Sequence, residues 1–252
     1  MNNLNCEQGT KHWLELRKEH IGSSDIACIN GTNPYKSAYT LWLEKTGKKE
    51  PDKENFAMKH GKEMEPVARN FFIDLSDVAI IPSVQISKEW NVAMASLDGL
   101  TTDNKTIVEI KCPLTEKLYK LAKDGTILPM YMDQIQWQLW VTKAEKCVYF
   151  VYMDEFAFES IEVFPDIPYQ KMLVEKAKEF WDRVLNDDPP TKNKTDPIYI
   201  SEIDDNELAQ EWKNLKLQQK DFEVRIKDIE NQLLEKYKET KTLYRLILFH
   251  LY

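Results

Sequence analysis

Glycine and cysteine are scarce in this chain: 252 residues contain 7 Gly and 4 Cys, alongside 11 Pro. So few Gly and Pro exclude a collagen-like or low-complexity chain. A hydrophobic fraction of 42% is enough to bury a core, which excludes a disordered one. Cys6, Cys28, Cys112 and Cys147 are scattered and form no Cys-x-x-Cys pair. That pattern fits neither a zinc site nor a disulfide framework, and reduced thiols in a cytoplasmic protein are expected. The first residues lack an apolar stretch of the secretory kind. No run approaches the roughly 20 apolar residues that span a bilayer, so no membrane association is expected. An excess of positive charge is missing too, since 34 basic residues face 42 acidic ones for a net charge of −8. This balance argues against a generic nucleic-acid coat, which leaves a basic footprint. It leaves room for an enzyme that gathers carboxylates to hold divalent cations, because the ions then supply the positive field.

At about 150 residues per domain the length suits one large domain, or one domain with an appendage. Thr10 can cap a helix carrying Trp13 and Leu16 on one face. Ile21-Gly22-Ser23-Ser24-Asp25 then interrupts it and caps a second short helix through Ile26 and Ile29. A third helix fits Ala38 to Lys45, and a fourth fits Phe56 to Leu75, with a start or kink expected near Pro66. Val78 to Ile86, Val92 to Leu97 and Ile107 to Cys112 are short and rich in β-branched residues, as strands are. Leu114 to Lys123 and Pro129 to Thr142 return to helical spacing. Two more strands, Cys147 to Met153 and Phe156 to Phe164, precede a helix over Tyr169 to Leu185. Helices and strands in this order predict an α/β fold, a central mixed β-sheet flanked by helices.

The polar, Pro-containing stretch after Asn186 divides the chain into a body of residues 1–188, a linker over 189–200 and a helical tail over 201–252. In the tail, Leu208, Trp212, Leu215, Phe222, Ile226, Ile229 and Leu233 follow a heptad pattern with Gln219 at its polar gap. Such a stripe packs either on its own domain or on another chain. Leu243 to Tyr252 is unusually apolar for a terminus.

The residues richest in chemistry run from Ser96 to Lys111. In a strand Val108-Glu109-Ile110-Lys111, Glu109 and Lys111 share one face while Val108 and Ile110 share the other. Asp98-Gly99 closes the preceding strand, and a polar turn over Thr101 to Thr106 lets a hairpin bring Asp98 beside Glu109. Two carboxylates and an ammonium on one patch suit metal-assisted phosphodiester hydrolysis. A lone Glu-x-Lys is ordinary surface charge, as at Glu211-Trp212-Lys213 and Glu239-Thr240-Lys241, so a solvated sheet face is the competing reading. Glu65, on the helix before the sheet, can add a third carboxylate or merely serve the helix dipole. Gln134 and Gln138 share a helical face, where they either position a water or lie exposed.

Five blocks in order then match a known family. They are Trp13…Arg17 with Ile21-Gly22-Ser23-Ser24; Gly61-Lys62 with Glu65 and Ala68-Arg69; Ser96-Leu97-Asp98-Gly99-Leu100; Glu109-Ile110-Lys111-Cys112-Pro113; and Tyr131-Met132-x-Gln134-Ile135-Gln136 with Trp140-Val141-Thr142. From about Trp13 to Leu185 the chain resembles the phage lambda exonuclease type, the YqaJ-type viral recombinase branch of the PD-(D/E)xK nucleases. The PD of that name reads Leu97-Asp98 here. The resemblance implies that Asp98, Glu109 and the carbonyl of Ile110 hold Mg²⁺, which Mn²⁺ can replace, and that Glu65 serves a second ion. Lys111 would act on the attacking water and Gln134 would position it. Arg17, Ser24 and Ser96 would grip a 5′-terminal phosphate.

The activity so implied is 5′→3′ exonuclease digestion of linear double-stranded DNA, leaving a 3′ single strand for recombination by strand annealing. It also implies a homotrimer, a single-strand annealing protein as partner, and a bacterial cytoplasm with a phage, prophage or plasmid source. Other readings are a PD-(D/E)xK endonuclease, a RecB-like or CRISPR-associated nuclease with an iron–sulfur cluster, and a non-catalytic DNA-end-binding scaffold. The scattered cysteines speak against the cluster, and the full Asp98, Glu109, Lys111 set against the scaffold.

Overall fold

The computed structural model describes residues 2–4, 6, 8–52, 54–193, 196 and 206–236. Two compact units divide the chain, residues 1–196 and 197–252. The apolar run from Leu243 lies outside the described residues.

Six strands form one sheet in chain order: β1 (Asn2–Leu4), β2 (Ile80–Ile86), β3 (Met94–Thr101), β4 (Thr106–Lys111), β5 (Lys146–Asp154) and β6 (Ala157–Val163). Every pairing is antiparallel except β4 with β5, which run parallel. A parallel pair needs a long crossover. Here it is supplied by α5 (Glu116–Lys123) and α6 (Pro129–Thr142). The sheet is mixed, as expected; the three-residue β1 is too short and polar to announce itself in the sequence.

Four helices precede the body of the sheet: α1 (Lys11–Glu19), α2 (Ser23–Asn30), α3 (Ala38–Lys45) and α4 (Phe56–Ser76). Thr10 caps α1 by accepting from the Trp13 N–H, and Asn55 caps α4 through the Met58 N–H. The helix begins at Phe56 rather than near Pro66 and runs through the proline. Pro66 is exposed, so water can serve the carbonyl that its ring leaves without a donor. Met64 before it and Ala68 and Phe72 after it pack on the same cluster, which holds both halves in one helix.

That cluster is the core on one side of the sheet. Ala68 and Phe72 of α4 meet Ile80, Val108, Ile110, Phe150 and Tyr152. Phe72 and Phe150 lie edge to face with centroids 5.2 Å apart. Val108 and Ile110 therefore spend the apolar face of β4 on α4, and Glu109 and Lys111 have the other face. Gly99 allows a close approach on this side, since a Cβ there would lie 2.5 Å from Cδ1 of the buried Ile80. Gly99→Ala is expected to cost about 1–3 kcal/mol in urea unfolding, as overpacked cores do; an unchanged midpoint would show that Ile80 simply moves aside.

On the opposite face α6 starts at Pro129 in its first turn and ends at Lys143, which has a left-handed backbone. Trp137, fully buried, donates its indole N–H to the Met94 carbonyl at 3.1 Å and so fastens α6 to β3. The buried Asp133 accepts from Asn30 and Thr32 of the α2 segment. It also accepts from Tyr169 of α7 (Ile167–Leu185), so one carboxylate ties three helices with neutral donors. In the second unit the described residues form one helix, α8 (Asn206–Lys236).

Candidate active site

Glu109 is 1% exposed, so the solvated-face reading of its strand is overturned: α6 covers it. Its carboxylate is gripped on both oxygens. Gln134 Nε2 donates to Oε1 at 2.7 Å, and Gln138 Nε2 donates to Oε2 at 2.7 Å. The 3.6-residue period puts both amides on one face of α6, at two heights over one carboxylate. Lys111 forms an ion pair with the same Oε1 and lies 3.5 Å from Gln134 Oε1. Its ammonium also sits 4.9 Å from the centroid of the Tyr131 ring. The exposed glutamines of the competing reading are, in the structure, both bound to Glu109.

Asp98 reaches the site from β3. The register pairs Gly99 with Val108, and Asp98 Oδ2 accepts the Ile110 N–H at 2.8 Å. Burial and then the charge of Glu109 push the Asp98 carboxyl well above the usual carboxylate range, against the pull of Lys111 and the Ile110 N–H. Glu65 of α4 is raised as well, by burial first and also by Glu109, with the Arg69 and Lys111 charges opposing. Arg69 holds Glu65 in an ion pair and donates from Nε to the Asp98 carbonyl at 2.7 Å. Arg69 thus links the third carboxylate to the strand that bears the first.

Among the described residues no group of three or more His, Cys, Asp or Glu side chains stands ready around a metal. The donor chemistry nonetheless fits a small hard cation. Mg²⁺ commonly takes only one or two carboxylates and keeps waters and substrate oxygens. Burial first of all, and also the charge of Glu109, raise Asp98 and Glu65, and a divalent cation would relieve the repulsion among these carboxylates. The described thiols do not assemble a cluster site: Cys28 and Cys147 are buried and free, and burial first of all pushes the thiol of Cys28 up to about 12.

A second group lies at the α1–α2 corner. Arg17 Nη2 donates to Ser24 Oγ at 3.0 Å and to Asp25 Oδ1 at 2.8 Å. Its guanidinium lies 5.0 Å from the centroid of the Trp13 ring, and Trp13 Nε1 donates to Ser96 Oγ at 2.9 Å. Arg17, Ser24 and Ser96 are therefore strung together through Trp13. Both hydroxyls accept, which leaves each its own proton to donate. Asp25 is shared with Lys45, whose Nζ is 2.8 Å from Oδ2. Burial raises the Asp25 carboxyl, but the charges of Lys45 and Arg17 outweigh it and hold it at about 2. At Lys45 burial comes first and, with the Arg17 charge, lowers the ammonium against the raising pull of Asp25 and Glu44. Two cations on one anion leave this corner a net positive charge.

Gln138 also donates to the Ser96 carbonyl at 3.3 Å, which joins the two groups. The sequence offered Gln138 only as one of two open alternatives, and gave no binding or catalytic role to Arg69, Trp13 or Asp25. The i, i+4 spacings Gln134/Gln138 and Glu65/Arg69 were a usable signal, whereas the reach of Trp13 to Ser96 needs the fold.

Comparison with known proteins places the chain and its fold. The uncharacterized protein YqaJ of Bacillus subtilis (strain 168) is 27% identical over 263 residues, covering 94% of this chain and 81% of that protein. The crystal structure of an alkaline exonuclease, LHK-Exo, from Laribacter hongkongensis superposes with a TM-score of 0.63 at 23% identity, over 71% of this chain and 94% of that one. The same enzyme in complex with dAMP gives a TM-score of 0.64 at 22% identity, with the same coverage. These structures share the fold: a mixed sheet flanked by helices. Residues 12–145, more than half of the chain, match the YqaJ-like viral recombinase domain, and the chain belongs to that family.

Proposed function

We propose that the protein is a metal-dependent 5′→3′ exonuclease that digests one strand of linear double-stranded DNA, leaving a 3′ single strand for recombination by annealing. The observation that carries this is Glu109, buried in a charged and polar grip of Lys111, Gln134 and Gln138 with Asp98 alongside. Family membership and the fold shared with an alkaline exonuclease support it.

In this reading Asp98, Glu109 and the Ile110 carbonyl hold Mg²⁺ or Mn²⁺, and Glu65 serves a second ion. The bound ions would neutralise phosphate charge and make water acidic enough to supply a nucleophile. Gln134 orients the water, since its amide offers both a donor and an acceptor beside Glu109. The Lys111 ammonium faces the charge that builds on the phosphate. Arg17, Ser24 and Ser96 hold the terminal 5′-phosphate by charge and by hydroxyl donation. Residues 1–188 carry the nuclease, followed by a linker at 189–200 and the tail at 201–252. A homotrimer, a single-strand annealing partner and a phage, prophage or plasmid origin in a bacterial cytoplasm complete the reading on resemblance alone. Among the described residues no helix is long and apolar enough to cross a membrane.

The test is digestion of linear duplexes with 5′-phosphate or 5′-hydroxyl ends beside a closed circle, with Mg²⁺ or EDTA. Only the linear substrates should disappear, only with metal, and the phosphorylated one faster. Cutting of the circle would make the protein an endonuclease, and DNA binding without cutting would make it an end-binding scaffold. Arg17→Ala should reduce the preference for phosphorylated ends by about 10- to 100-fold, the worth of a charge-assisted pair. Equal loss on both ends would remove Arg17 from the phosphate pocket.

A further inference from the structure

We infer that α8 forms a parallel, in-register coiled coil with a second copy of this chain. The helix is 31 residues long, and its heptad stripe places Trp212, Gln219, Ile226 and Leu233 at one core position and Leu208, Leu215, Phe222 and Ile229 at the other. Trp212, Leu215, Phe222 and Ile226 are each more than half exposed on the helix surface. Nearly four heptads of exposed aromatic and aliphatic side chains, broken at Gln219, are a seam built to be covered.

The charges flanking the stripe say what covers it. In a parallel pair the residue before one core position faces the residue five places on in the partner helix. Glu211 then meets Lys216 of the second copy, Arg225 meets Glu230, and Gln218 meets Glu223. No like charges meet, and each attractive pair occurs twice by symmetry. The polar gap fixes the direction. In parallel register Gln219 faces its own counterpart, amide to amide. The antiparallel register that keeps the apolar layers aligned sets Gln219 against Phe222 and buries an unpaired amide. Within one helix Gln219 is already lined by polar neighbours, with Lys216 Nζ 2.9 Å from its Oε1 and Glu223 Oε1 3.0 Å from its Nε2. The seam joins two α8 helices and is separate from the homotrimer of the nuclease reading, which rests on resemblance alone, so it stands apart from that reading and survives its failure.

Cysteine placement in the full-length chain tests the inference. Leu215→Cys and, separately, Ile229→Cys should each give a disulfide-linked dimer on oxidation, above the background of the native thiols. Lys213→Cys, on the outer face, should not. Absence of linkage at both seam positions would overturn the proposal, as would equal linkage at Lys213. So would linkage only when Leu215→Cys is mixed with Ile226→Cys, the antiparallel outcome. As a second measurement, Glu211→Lys and Lys216→Glu should each weaken self-association about tenfold in sedimentation. Mixing the two variants should restore it, because each then supplies the charge that the other lacks. Single variants indistinguishable from wild type, or a mixture that stays weak, would overturn self-pairing. Cleavage of DNA by these variants reports separately on the nuclease.

Discussion

Lys111→Ala is expected to lower the rate of DNA cleavage by about a thousandfold or more while leaving duplex binding and folding in place. β4 places this ammonium on its Glu109 face, paired with Glu109 and resting against Tyr131. Burial alone would lower it, but the charges of Glu109 and Asp98 outweigh burial and raise it above the ordinary lysine value. It is therefore protonated across the neutral range. Its contribution to stability is full at neutral pH and is lost only as alkaline pH rises through that raised value. An ammonium held there stabilises charge developing on a phosphate, a contribution made only as the reaction proceeds. The fold should survive because the Glu109 carboxylate keeps the Gln134 and Gln138 donors, both at 2.7 Å. Cleavage and filter binding measured on the same preparation decide the matter. Retained cleavage, or loss of the cooperative unfolding transition, would remove Lys111 from the chemistry.

The largest effect on stability should come from Asp25→Asn, at about 3–5 kcal/mol in urea unfolding. Asp25 holds Arg17 and the almost fully buried Lys45 at 2.8 Å each and accepts the Gly22 N–H at 2.9 Å. Asparagine keeps one acceptor for Gly22 but leaves the Lys45 ammonium with the neutral carbonyls of Arg17 and His20 and no carboxylate on α2 to balance its charge. Lys45→Met added to Asp25→Asn should recover most of the loss, since no buried charge is then left alone. The pH dependence has a definite sign. A carboxyl held at about 2 contributes fully above the unfolded value, and the contribution fades as pH falls through the acid range toward the folded value. Wild type should therefore lose this increment below about pH 4, and Asp25→Asn should show no such increment to lose. A cost under about 1 kcal/mol would mean that water reaches Lys45.

The two effects also separate the halves of the candidate site. In the proposed reading Lys111 would serve the bond being broken, and Asp25, which holds Arg17 in an ion pair, would set the conformation of the group that meets the end of the strand. A cleavage defect in Asp25→Asn confined to phosphorylated ends would show that Arg17 must be held in place as well as be charged.

Much of this was readable from order and spacing. The alternation Val108-Glu109-Ile110-Lys111 dictates two faces of a strand, and β-branched residues with a polar turn dictate the hairpin that sets Asp98 against it. Thr10 and Pro129 mark helix starts by local chemistry, which is why the bounds of α6 follow from the sequence. Local rules failed where the decision was not local. Pro66 is a helix breaker in isolation, yet packing of Met64, Ala68 and Phe72 on one cluster carries α4 through it. Gln138 has the look of an exposed helical glutamine until α6 lies over β4, when it becomes a second clamp on Glu109. Nothing in the spacing brings Trp13 to Ser96, 83 residues away, or Lys45 to Asp25. The sequence by itself determined which side chains share a face, because that depends on backbone periodicity. Only the tertiary structure decided which faces are buried together, because burial of Glu109 turns an ordinary Glu-x-Lys into part of a paired cluster of charges.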